Sequence, residues 1–599
     1  MDHDMHKHPT LLPLLWQALC NEPEAVALHW HDLRITRRLL QHKCMKLAAL
    51  FAAAGIDRGS RTAVLLPRSP DMLVVLLALW QRTAVYVPLD PAWPRARIEA
   101  ALAVTGAEYL VTSDVLQPLW QRSECLPLRL EPIDYSELLP ISLASVMEPV
   151  ECSAQDAAYL LFTSGSSGKP KAVQVNHGSL ATLFAGVLPL LALQPGWRLL
   201  GCSAFCFDIV FFEWLAPLLC SCSLVLADAA TQYDPAGLLR LIEAQRVDLV
   251  QATPSLWQLL LQDPQAATLQ RLQLAIATGE ALRLATARRL LAQVPVLWNL
   301  YGPTECTLWS SALRVTPDDV LDALPYVSIG QPLPGYALQL MSHPEAGEDA
   351  GELVISGAGV SAGYVGADAT QASRFSVTDQ GRPCFHSGDL CRRDARGGHH
   401  FLRRCDGQLK LNGYRIEAGE IETQLRSHPG IHDAVCLVRE AAAGNQLLAF
   451  VVCTTDSPNK DRERWNRYLQ HWLPEWMLPQ RYFLLDSFPL DANGKLDRHA
   501  LLQLAQTGAS CSAGSNDMLE REVGQLFCSV LALDEIGPCD SFFDLGGNSM
   551  LSATLLLALN QRFGTALSLR EMLRSPPTVQ RLTALLRQAG ASVDLERVG

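Results

Sequence analysis

Short apolar runs alternate with segments of helical periodicity through most of the chain. Residues 61–67, 84–90, 109–112 and 157–162 are short apolar runs, which predict buried strands. Residues 10–60 place Leu, Trp and Ala at helical spacing and predict a helix-rich entry. Because strands that alternate with helices form parallel sheets, the pattern predicts an α/β fold with a mainly parallel, doubly wound sheet.

The pattern changes near residue 506. Residues 506–517 are rich in Gly, Ser and Asn, which is typical of a linker. An amphipathic helix follows, and two further helical stretches end near Ala589. The apolar face of the first helix consists of Leu519, Val523, Leu526, Phe527, Val530 and Leu531. A small helical domain is therefore expected after the linker.

Composition narrows the class of protein. The chain has 599 residues, of which 49% are hydrophobic and 18% charged, and a net charge of -12. This charge argues against binding to nucleic acid or to an anionic membrane. No apolar run reaches the ~18 residues of a membrane-spanning helix, and the first residues lack the apolar core of a signal peptide. We therefore expect a cytoplasmic protein whose 17 cysteines are reduced.

Residues 161–173 combine groups that suit a phosphate chain. Four hydroxyl side chains, two glycines and two lysines occur together: Thr163, Ser164, Ser166, Ser167, Gly165, Gly168, Lys169 and Lys171. Glycine lets the backbone approach a ligand, and hydroxyl, N–H and ammonium groups all favour an anion. A Walker A loop is excluded because Pro170 follows Lys169 and Thr163 occupies the first glycine position. A flexible Ser/Gly linker is the alternative.

Further motifs follow in order along the chain. They are Phe-Asp at 207–208, Asn-Leu-Tyr-Gly-Pro-Thr-Glu at 299–305, Gly-Asp-Leu at 388–390, Arg-Cys-Asp-Gly at 404–407, Asn-Gly-Lys-Leu at 493–496 and Asp-Leu-Gly-Gly-Asn-Ser at 544–549. With the 161–173 segment, they closely resemble the adenylation domain of nonribosomal peptide synthetases, within the adenylate-forming superfamily, followed by a peptidyl carrier domain. The resemblance covers nearly the whole chain.

The resemblance implies a domain organisation. Residues 1–404 would form the large N-terminal subdomain of the adenylation domain, with doubly wound sheets. Residues 405–505 would form its small, mobile α+β C-terminal subdomain, with Asp406 as the hinge. Residues 506–517 would be the linker, and residues 518–590 a four-helix-bundle carrier domain.

The resemblance also implies the residues that hold ATP or AMP. They are Thr163, Ser164, Gly165, Ser166, Ser167, Gly168, Gly279, Glu280, Asn299, Tyr301, Gly302, Thr304, Asp389 and Arg404. Asn299 and Tyr301 would frame the adenine, Asp389 would bind the ribose, and Arg404 would reach the ribose or a phosphate. The implied catalytic residues are Lys495, Lys171, Glu305 and Thr304. Thr304 would contact phosphate, Glu305 would hold Mg²⁺, and Lys495 would reach the substrate carboxylate and the α-phosphate.

Asp208 stands in an aromatic and aliphatic run, where a carboxylate is costly unless it is paired. It is either the N-cap of the following helix or, as in the family, the partner of a substrate α-ammonium group. The implied substrate pocket comprises Asp208, Ile209, Phe212, Gln251, Ile276, Thr278, Leu300, Leu308 and Trp309, with Lys495. The set resembles the glycine-selecting pattern but departs from it at Phe212 and Thr278. Alanine or serine comes next, because Gln251 and Thr278 could bind a hydroxyl.

The implied activity has two steps. ATP·Mg²⁺ and a small amino acid give an aminoacyl-adenylate, and the aminoacyl group then passes to 4'-phosphopantetheine on Ser549. The implied partners are a phosphopantetheinyl transferase and a downstream condensation or tailoring enzyme; an MbtH-like helper protein is a further candidate.

Two other functions and one other motif were considered. An acyl- or aryl-CoA ligase is opposed by Asp208 and by the carrier domain. A carrier scaffold with an inert adenylation half finds support only in the unusual Phe-His-Ser at 385–387. Residues 359–363 match the Gly-x-Ser-x-Gly pattern of hydrolases, but we expect Ser361 not to be a nucleophile.

Overall fold

The computed structural model describes residues 9–120, 124–136, 151–163, 171–321, 324–344, 349–366, 372–406, 408–411, 414–439, 446–454, 462–489, 496–505, 517–531, 533, 536–543, 545, 547, 549–574 and 577–590. Three units follow one another along the chain. We call them the large subdomain (residues 9–406), the small subdomain (408–505) and the helical domain (517–590).

The large subdomain is built from alternating strands and helices. In chain order they are α1 (Leu12–Asn21), β1 (Val26–Trp30), β2 (Leu33–Thr36), α2 (Arg37–Ala53), β3 (Arg61–Leu65), α3 (Asp71–Gln81), β4 (Val85–Pro88), α4 (Arg95–Thr105), β5 (Tyr109–Thr112), β6 (Leu126–Arg129), β7 (Ala157–Thr163), β8 (Lys171–Asn176), α5 (His177–Leu191), β9 (Arg198–Gly201), α6 (Ile209–Leu219), β10 (Ser223–Leu226), α7 (Pro235–Ala244), β11 (Leu249–Ala252), α8 (Pro254–Gln262), β12 (Leu274–Thr278), α9 (Leu284–Leu291), β13 (Leu297–Tyr301), β14 (Ser311–Val315), β15 (Gln331–Pro332), β16 (Tyr336–Met341), β17 (Ala350–Gly357), β18 (Tyr364–Val365), β19 (Phe375–Val377), β20 (Pro383–Arg393) and β21 (His399–Arg404).

Two mainly parallel sheets form the body of this subdomain. Over the described residues, one sheet has the strand order β15-β14-β13-β12-β11-β9-β10-β1-β2, and the other has the order β18-β8-β7-β4-β3-β5-β6. Strands β9 to β13 pair in parallel, as do β3 to β7. Antiparallel strands form the edges of both sheets except at β6, which pairs with β5 in parallel. The predicted α/β fold is confirmed.

Helix α3 shows why the two sheets lie together. All of its residues, Asp-Met-Leu-Val-Val-Leu-Leu-Ala-Leu-Trp-Gln, are buried. A helix that is hydrophobic all round must be covered on every side. Its side chains share one apolar core with residues of both sheets and of α5 and α6.

The prediction of a helix-rich entry over residues 10–60 is only partly right. Helices α1 and α2 are present, but β1 and β2 form an antiparallel hairpin between them at the edge of the larger sheet. Short apolar runs do not distinguish a buried strand from a turn of helix. Here the strand is stabilised by a partner far away in sequence, because β1 pairs in parallel with β10.

A third sheet leads to the small subdomain. It has the order β16-β17-β20-β19, with β21 also paired to β20. The small subdomain then contains β22 (Gln408–Leu411), β23 (Tyr414–Glu417), α10 (Ala418–Arg426), β24 (Ile431–Arg439), β25 (Gln446–Cys453), α11 (Arg462–Leu469), β26 (Arg481–Leu485) and α12 (Arg498–Leu504). Strands β22 and β23 form a hairpin, and β24, β25 and β26 form a separate sheet.

The helical domain packs four helices around one apolar core in the part of the chain that is described. They are α13 (Met518–Leu531), α14 (Ser549–Phe563), α15 (Leu569–Met572) and α16 (Val579–Gln588). The expected helical domain is thus present, and its first helix buries most of the predicted apolar face.

Helix α14 also packs against the large subdomain. Ala553 and Leu557, one turn apart, bury their side chains against Leu259 of α8. One turn further on, the Gln561 Nε2 donates to the carbonyl of Gln262 over 2.8 Å. The helical domain is therefore seated beside the sheet edge that carries the site.

Within these described residues, no helix is both long enough and apolar enough to cross a membrane.

Candidate functional site

A cavity of about 310 Å³ opens where several parallel strands of the larger sheet end. Ligands of α/β proteins commonly bind outside the carboxyl ends of such strands. The large subdomain contributes most of the wall, and the small subdomain contributes Gln408 and residues 474–476. Among the predicted site residues, those that line the cavity are Asp208, Ile209, Gln251, Thr278, Gly279, Tyr301, Gly302, Thr304, Leu308, Asp389 and Arg404.

Asp208 directly precedes α6 at the cavity wall and is 9% exposed. Although it occupies the N-cap position, its side chain makes no capping hydrogen bond to the helix. The carboxylate therefore does not serve as the cap that was one of the two interpretations. Its position suits a cationic group in the cavity.

The cavity ends at Thr278. The Trp309 Nε1 donates to Thr278 Oγ1 over 2.8 Å, and the Trp309 ring packs on Phe212 with centroids 4.8 Å apart. Four residues of the predicted pocket, Phe212, Ile276, Leu300 and Trp309, are buried behind the wall and do not line the cavity. The space beyond Thr278 is filled by aromatic side chains, so little room remains for a ligand side chain.

The Gln251 amide is engaged on both sides. It is satisfied when Nε2 donates to Glu213 Oε1 and Oε1 accepts from the backbone N–H of Ala252, each over 3.2 Å. Gln251 itself is buried at the cavity wall. The two polar groups expected to bind a substrate hydroxyl, those of Gln251 and Thr278, thus already have protein partners.

Tyr301 and Asp389 meet on the other side of the cavity. The Tyr301 hydroxyl donates to Asp389 Oδ2 over 2.5 Å, and Arg404 Nη1 donates to Asp389 Oδ1 over 2.8 Å. Gly302, next to Tyr301, lies tightly against the segment before β14, and a Cβ there would lie 2.5 Å from the Leu308 carbonyl oxygen. Only glycine fits this close approach.

The predicted hinge residue Asp406 is held by two arginines. Arg404 Nε donates to it over 2.8 Å, and Arg374 forms a second ion pair with it. Burial opposes the ionised form, but the hydrogen bonds and charges of both arginines hold the pKa of Asp406 well below its usual range. Asp406, the last residue of the large subdomain, is therefore held as a carboxylate next to the cavity wall.

Glu305, Tyr364 and Lys171 form a buried group. The Tyr364 hydroxyl donates to the fully buried Glu305, and the Lys171 ammonium lies 4.3 Å from the centre of the Tyr364 ring. A carboxylate beside an ammonium group fits the expected combination of a cation and a phosphate chain.

Two other predicted nucleotide ligands bond to protein. Asn299 is buried, is absent from the cavity wall, and donates from Nδ2 to the Ser328 carbonyl over 2.8 Å. Glu280 accepts from the Ser255 hydroxyl over 2.6 Å. Six predicted site residues lie outside the described residues: the phosphate ligands Ser164, Gly165, Ser166, Ser167 and Gly168, and Lys495, which was predicted to be catalytic.

The helical domain reaches the rim of the same cavity. Helix α14 packs against α8 and against the 3₁₀ turn Thr231–Tyr233, and both Gln232 and Tyr233 line the cavity. Ser549 is the first residue of α14. The predicted attachment position therefore begins a helix that is seated next to the cavity.

Several lining residues were not predicted. Asp90 and Trp93 come from the end of β4, and Cys202 and Ser203 from the end of β9. Asp90 is half-buried, and desolvation raises the pKa of its carboxyl above the usual value. The apolar segment at 84–90 was recognised as a strand, and its carboxyl-end position was the signal that could have assigned Asp90 to the site.

The unusual Phe-His-Ser at 385–387 is accommodated in β20. Phe385 is fully buried against Phe375, with ring centroids 5.1 Å apart. The Ser387 hydroxyl donates to the Leu353 carbonyl over 2.6 Å and accepts from the Asp389 backbone N–H over 3.0 Å. These residues thus brace Asp389. Ser361 is buried, and the Glu305 carbonyl accepts its backbone N–H.

Three protein families match the chain. "AMP-binding enzyme" matches residues 15–365, "AMP-binding enzyme C-terminal domain" matches 420–495, and "Phosphopantetheine attachment site" matches 521–586. The order is that expected for an adenylation domain followed by a carrier domain.

Curated relatives are nonribosomal peptide synthetases. A dimodular nonribosomal peptide synthase of Bacillus subtilis is 32% identical over 94% of this chain and 24% of the relative. Phosphinothricin tripeptide synthetase PhsC of Streptomyces viridochromogenes is 32% identical over 98% of this chain and 54% of the relative. The chain thus spans about a quarter and about half of the length of these two proteins.

Solved structures agree in organisation. Holo-PA1221, a nonribosomal peptide synthetase protein with adenylation and PCP domains bound to a vinylsulfonamide inhibitor, has a TM-score of 0.82, 29% identity and 98% coverage of both chains. Holo-AB3403, a four-domain synthetase bound to AMP and glycine, has a TM-score of 0.61, 29% identity, and coverage of 98% of this chain and 43% of the other.

Proposed function

Because the chain belongs to the family of AMP-binding enzymes and also contains a phosphopantetheine attachment domain, we propose that it activates a small amino acid with ATP and loads it onto its own carrier domain. The observation that carries the proposal is the position of the helical domain, whose α14 is seated beside the cavity that Asp208 lines. One cavity can then serve both the formation of an aminoacyl-adenylate and the transfer of its acyl group.

The first step is supported by charge placement. Lys171 and the 161–173 segment would attract the phosphates, while Tyr301, Asp389 and Arg404 would hold the nucleoside end. Glu305 would hold Mg²⁺, which prefers one or two carboxylates together with phosphate oxygens. Bound Mg²⁺ would neutralise phosphate charge and so assist the release of pyrophosphate. Lys495 remains the proposed cation for the carboxylate and α-phosphate.

An amino acid, rather than an aryl or fatty acid, is supported by Asp208. A carboxylate at an apolar wall is stabilised by an ammonium partner, and only an amino acid brings one. An acyl- or aryl-CoA ligase has no use for this charge. The second alternative, an inert adenylation half, loses support because Phe385, His386 and Ser387 leave Asp389 well braced.

Glycine is the proposed substrate, with alanine next. The Thr278–Trp309 hydrogen bond and the Phe212–Trp309 contact close the space where a larger side chain would lie. Serine is less favoured because Gln251 and Thr278 already have partners. The likeness to holo-AB3403, which is bound to AMP and glycine, agrees with this choice.

Phosphopantetheine, once attached to Ser549, would supply the thiol that receives the aminoacyl group from AMP. The surroundings of Ser549 fit such an attachment. The preceding Gly547 packs so tightly on Phe542 that a Cβ would lie 2.1 Å from the ring, which fixes the turn into α14. Gln232 and Tyr233, which contact α14 and line the cavity, mark the side from which the arm would enter.

We propose that residues 1–404 and 405–505 form the large and small subdomains of the adenylation domain. Residues 506–517 would be the linker, and residues 518–590 the carrier domain. The partners would be a phosphopantetheinyl transferase, which modifies Ser549, and a downstream condensation or tailoring enzyme, which takes the amino acid. An MbtH-like protein stays a candidate helper.

Intact-mass analysis tests the proposal. The phosphopantetheinylated protein is incubated with ATP, Mg²⁺ and a pool of amino acids, beside a Ser549→Ala control. A mass gain equal to a glycyl group, absent from the control, is expected. A gain equal to a large side chain would refute the substrate assignment but keep the activity. No gain, together with no ATP–pyrophosphate exchange for any amino acid, would refute the proposed activity.

A further inference from the structure

Glu213 is a fully buried carboxylate that no predicted role uses. It lies on α6, one turn after Ile209, and faces the end of β9. Its oxygens accept from the Ser203 hydroxyl over 2.7 Å, from the Ser203 backbone N–H over 3.2 Å and from the Cys202 backbone N–H over 3.4 Å. The carboxylate therefore fixes the segment that leads to Asp208.

The same carboxylate holds a second wall residue. Gln251 Nε2 donates to Glu213 Oε1 over 3.2 Å in the orientation that also satisfies the Ala252 N–H. Ser203 and Gln251 both line the cavity, whereas Glu213 lies behind them. The hydrogen bonds of Glu213 thus fix the orientation of the polar atoms of Ser203 and Gln251.

Arg68 supplies the compensating charge. It donates to the carbonyls of Ser203 and Ala227 over 2.6 Å each and to that of Gly201 over 2.9 Å, and it lies 4.5 Å from the Phe205 ring centre. Its hydrogen bonds go to backbone carbonyls and not to Glu213, so the carboxylate remains available to Ser203 and Gln251. A buried carboxylate is costly unless it is hydrogen-bonded and its charge is compensated, and here Ser203, Cys202 and the charge of Arg68 meet these needs.

We infer that Glu213 is a positioning residue that makes the substrate pocket reject hydroxyl-bearing side chains, because it occupies the polar groups of Ser203 and Gln251 that could otherwise bind a hydroxyl. The inference rests on the proposed amino-acid activation. A substrate hydroxyl at this wall would be buried without a partner, and an unpaired buried polar group costs binding free energy. Without Glu213, the Gln251 amide and the Ser203 hydroxyl become available to it.

A matched substrate pair isolates the hydroxyl from size. Serine and 2-aminobutyrate differ by a hydroxyl in place of a methyl group. We would measure kcat/KM for both, and for glycine, by ATP–pyrophosphate exchange. In wild type, 2-aminobutyrate is expected to exceed serine. In Glu213→Leu, the serine to 2-aminobutyrate ratio should rise about tenfold. The KM for glycine should also rise, while the KM for ATP stays unchanged.

Two further variants separate positioning from loss of folding. Glu213→Gln keeps the side-chain volume but presents an NH₂ group to the Gln251 amide, so it should shift the ratio in the same direction with a near-native thermal melt. Adding Gln251→Leu to Glu213→Leu should remove most of the gain for serine. Asp71→Asn is the matched control, since Asp71 is also buried but bonds Tyr135 and Ile133 away from the cavity. It should leave the ratio unchanged.

The outcomes are distinct. An unchanged ratio in folded Glu213→Gln and Glu213→Leu would overturn the inference and leave Glu213 as a brace. A wild type that prefers serine would also overturn it, while amino-acid activation would stand. Absence of exchange for every amino acid in wild type would overturn both the inference and the proposed function.

Discussion

The ion pair between Arg97 and Glu420 joins the small subdomain to the large one. Arg97 Nη1 on α4 lies 2.7 Å from Glu420 Oε1 on α10, and the two side chains are 5% and 3% exposed. The Arg97 guanidinium also lies 5.2 Å from the centre of the Trp93 ring, which lines the cavity. Breaking this pair should therefore loosen the seating of the small subdomain.

The structure sets the size of the effect. Removing one partner of a buried pair leaves an uncompensated charge and costs about 3–5 kcal/mol. The ion pair belongs to the arrangement in which residues 474–476 of the small subdomain line the cavity and α14 contacts α8. Glu420→Gln should destabilise that arrangement by this free energy. Since about 1.4 kcal/mol is a factor of ten, the population of this arrangement relative to the others should fall by at least about a hundredfold.

Two assays measure the effect of these substitutions on loading and on adenylate formation. Single-turnover loading of phosphopantetheinylated Ser549, which the proposed function assigns to this arrangement, should slow by at least about a hundredfold in Glu420→Gln and in Arg97→Met. ATP–pyrophosphate exchange, for which Lys495 is proposed to approach the cavity instead, should fall by less than about threefold. The double variant Arg97→Glu/Glu420→Arg should recover part of the loading rate.

Arg95 provides the matched control. It pairs with Glu99 on the same helix, and both side chains are more than a third exposed. Arg95→Met should change loading by less than about fivefold, because an exposed pair contributes at most about 1 kcal/mol. Equal losses in loading and exchange, or a loading rate in Glu420→Gln like that of Arg95→Met, would refute the reasoning.

Three other predictions concern the cavity and its surroundings. Asp208→Asn should raise the KM for the amino acid at least about a hundredfold in ATP–pyrophosphate exchange without changing the KM for ATP, because the ammonium loses its counter-charge; equal changes in both constants would speak against an ammonium partner. Leu557→Glu, which places a charge against Leu259, should slow loading by about tenfold or more and leave exchange intact; normal loading would show that this contact is not used. Burial raises the pKa of Glu213 from 4.5 to about 7, despite donors from Ser203 and the charge of Arg68. The folded chain therefore binds this proton more tightly, so the free energy of unfolding should fall by about 3 kcal/mol as the pH rises from 4.5 to 7. Urea denaturation should show that Glu213→Gln lacks this loss, and parallel pH profiles for the two proteins would contradict the assignment.

Local pattern was enough to predict the fold class and the order of the units. The apolar runs before Leu65, Pro88 and Thr112 are strands, and the apolar face from Leu519 to Leu531 belongs to the helical domain's core. The periodicity of apolar residues did not predict strands β1 and β2. Strand β1 is stabilised by pairing with β10, nearly two hundred residues away, and β2 pairs with β1. Such long-range pairing leaves no periodic signal of its own.

Only part of the candidate site could be predicted from the sequence. Motif residues such as Asp208, Tyr301 and Asp389 do line one cavity, while their chemical roles stay predictions. Glu213 and Arg97 gave no signal, because each lies in an ordinary helical segment and gains its role only from a distant partner. Trp309 was predicted to belong to the pocket, but its hydrogen bond to Thr278 could not be anticipated from residue types.

The chemistry available to this protein follows from neighbouring residues in the sequence: a segment whose groups suit a phosphate chain, a carboxylate in an apolar run, and a serine that opens a helix. These properties reside in neighbouring residues, so local order along the chain preserves them. Which polar groups can still bind a substrate depends on the tertiary structure. Gln251 and Thr278 are both capable of binding a hydroxyl, but each is engaged by a residue far from it in the chain, Glu213 for Gln251 and Trp309 for Thr278. Hydrogen-bonding capacity is a property of a side chain, whereas its availability depends on the partners that folding brings within 3 Å or so.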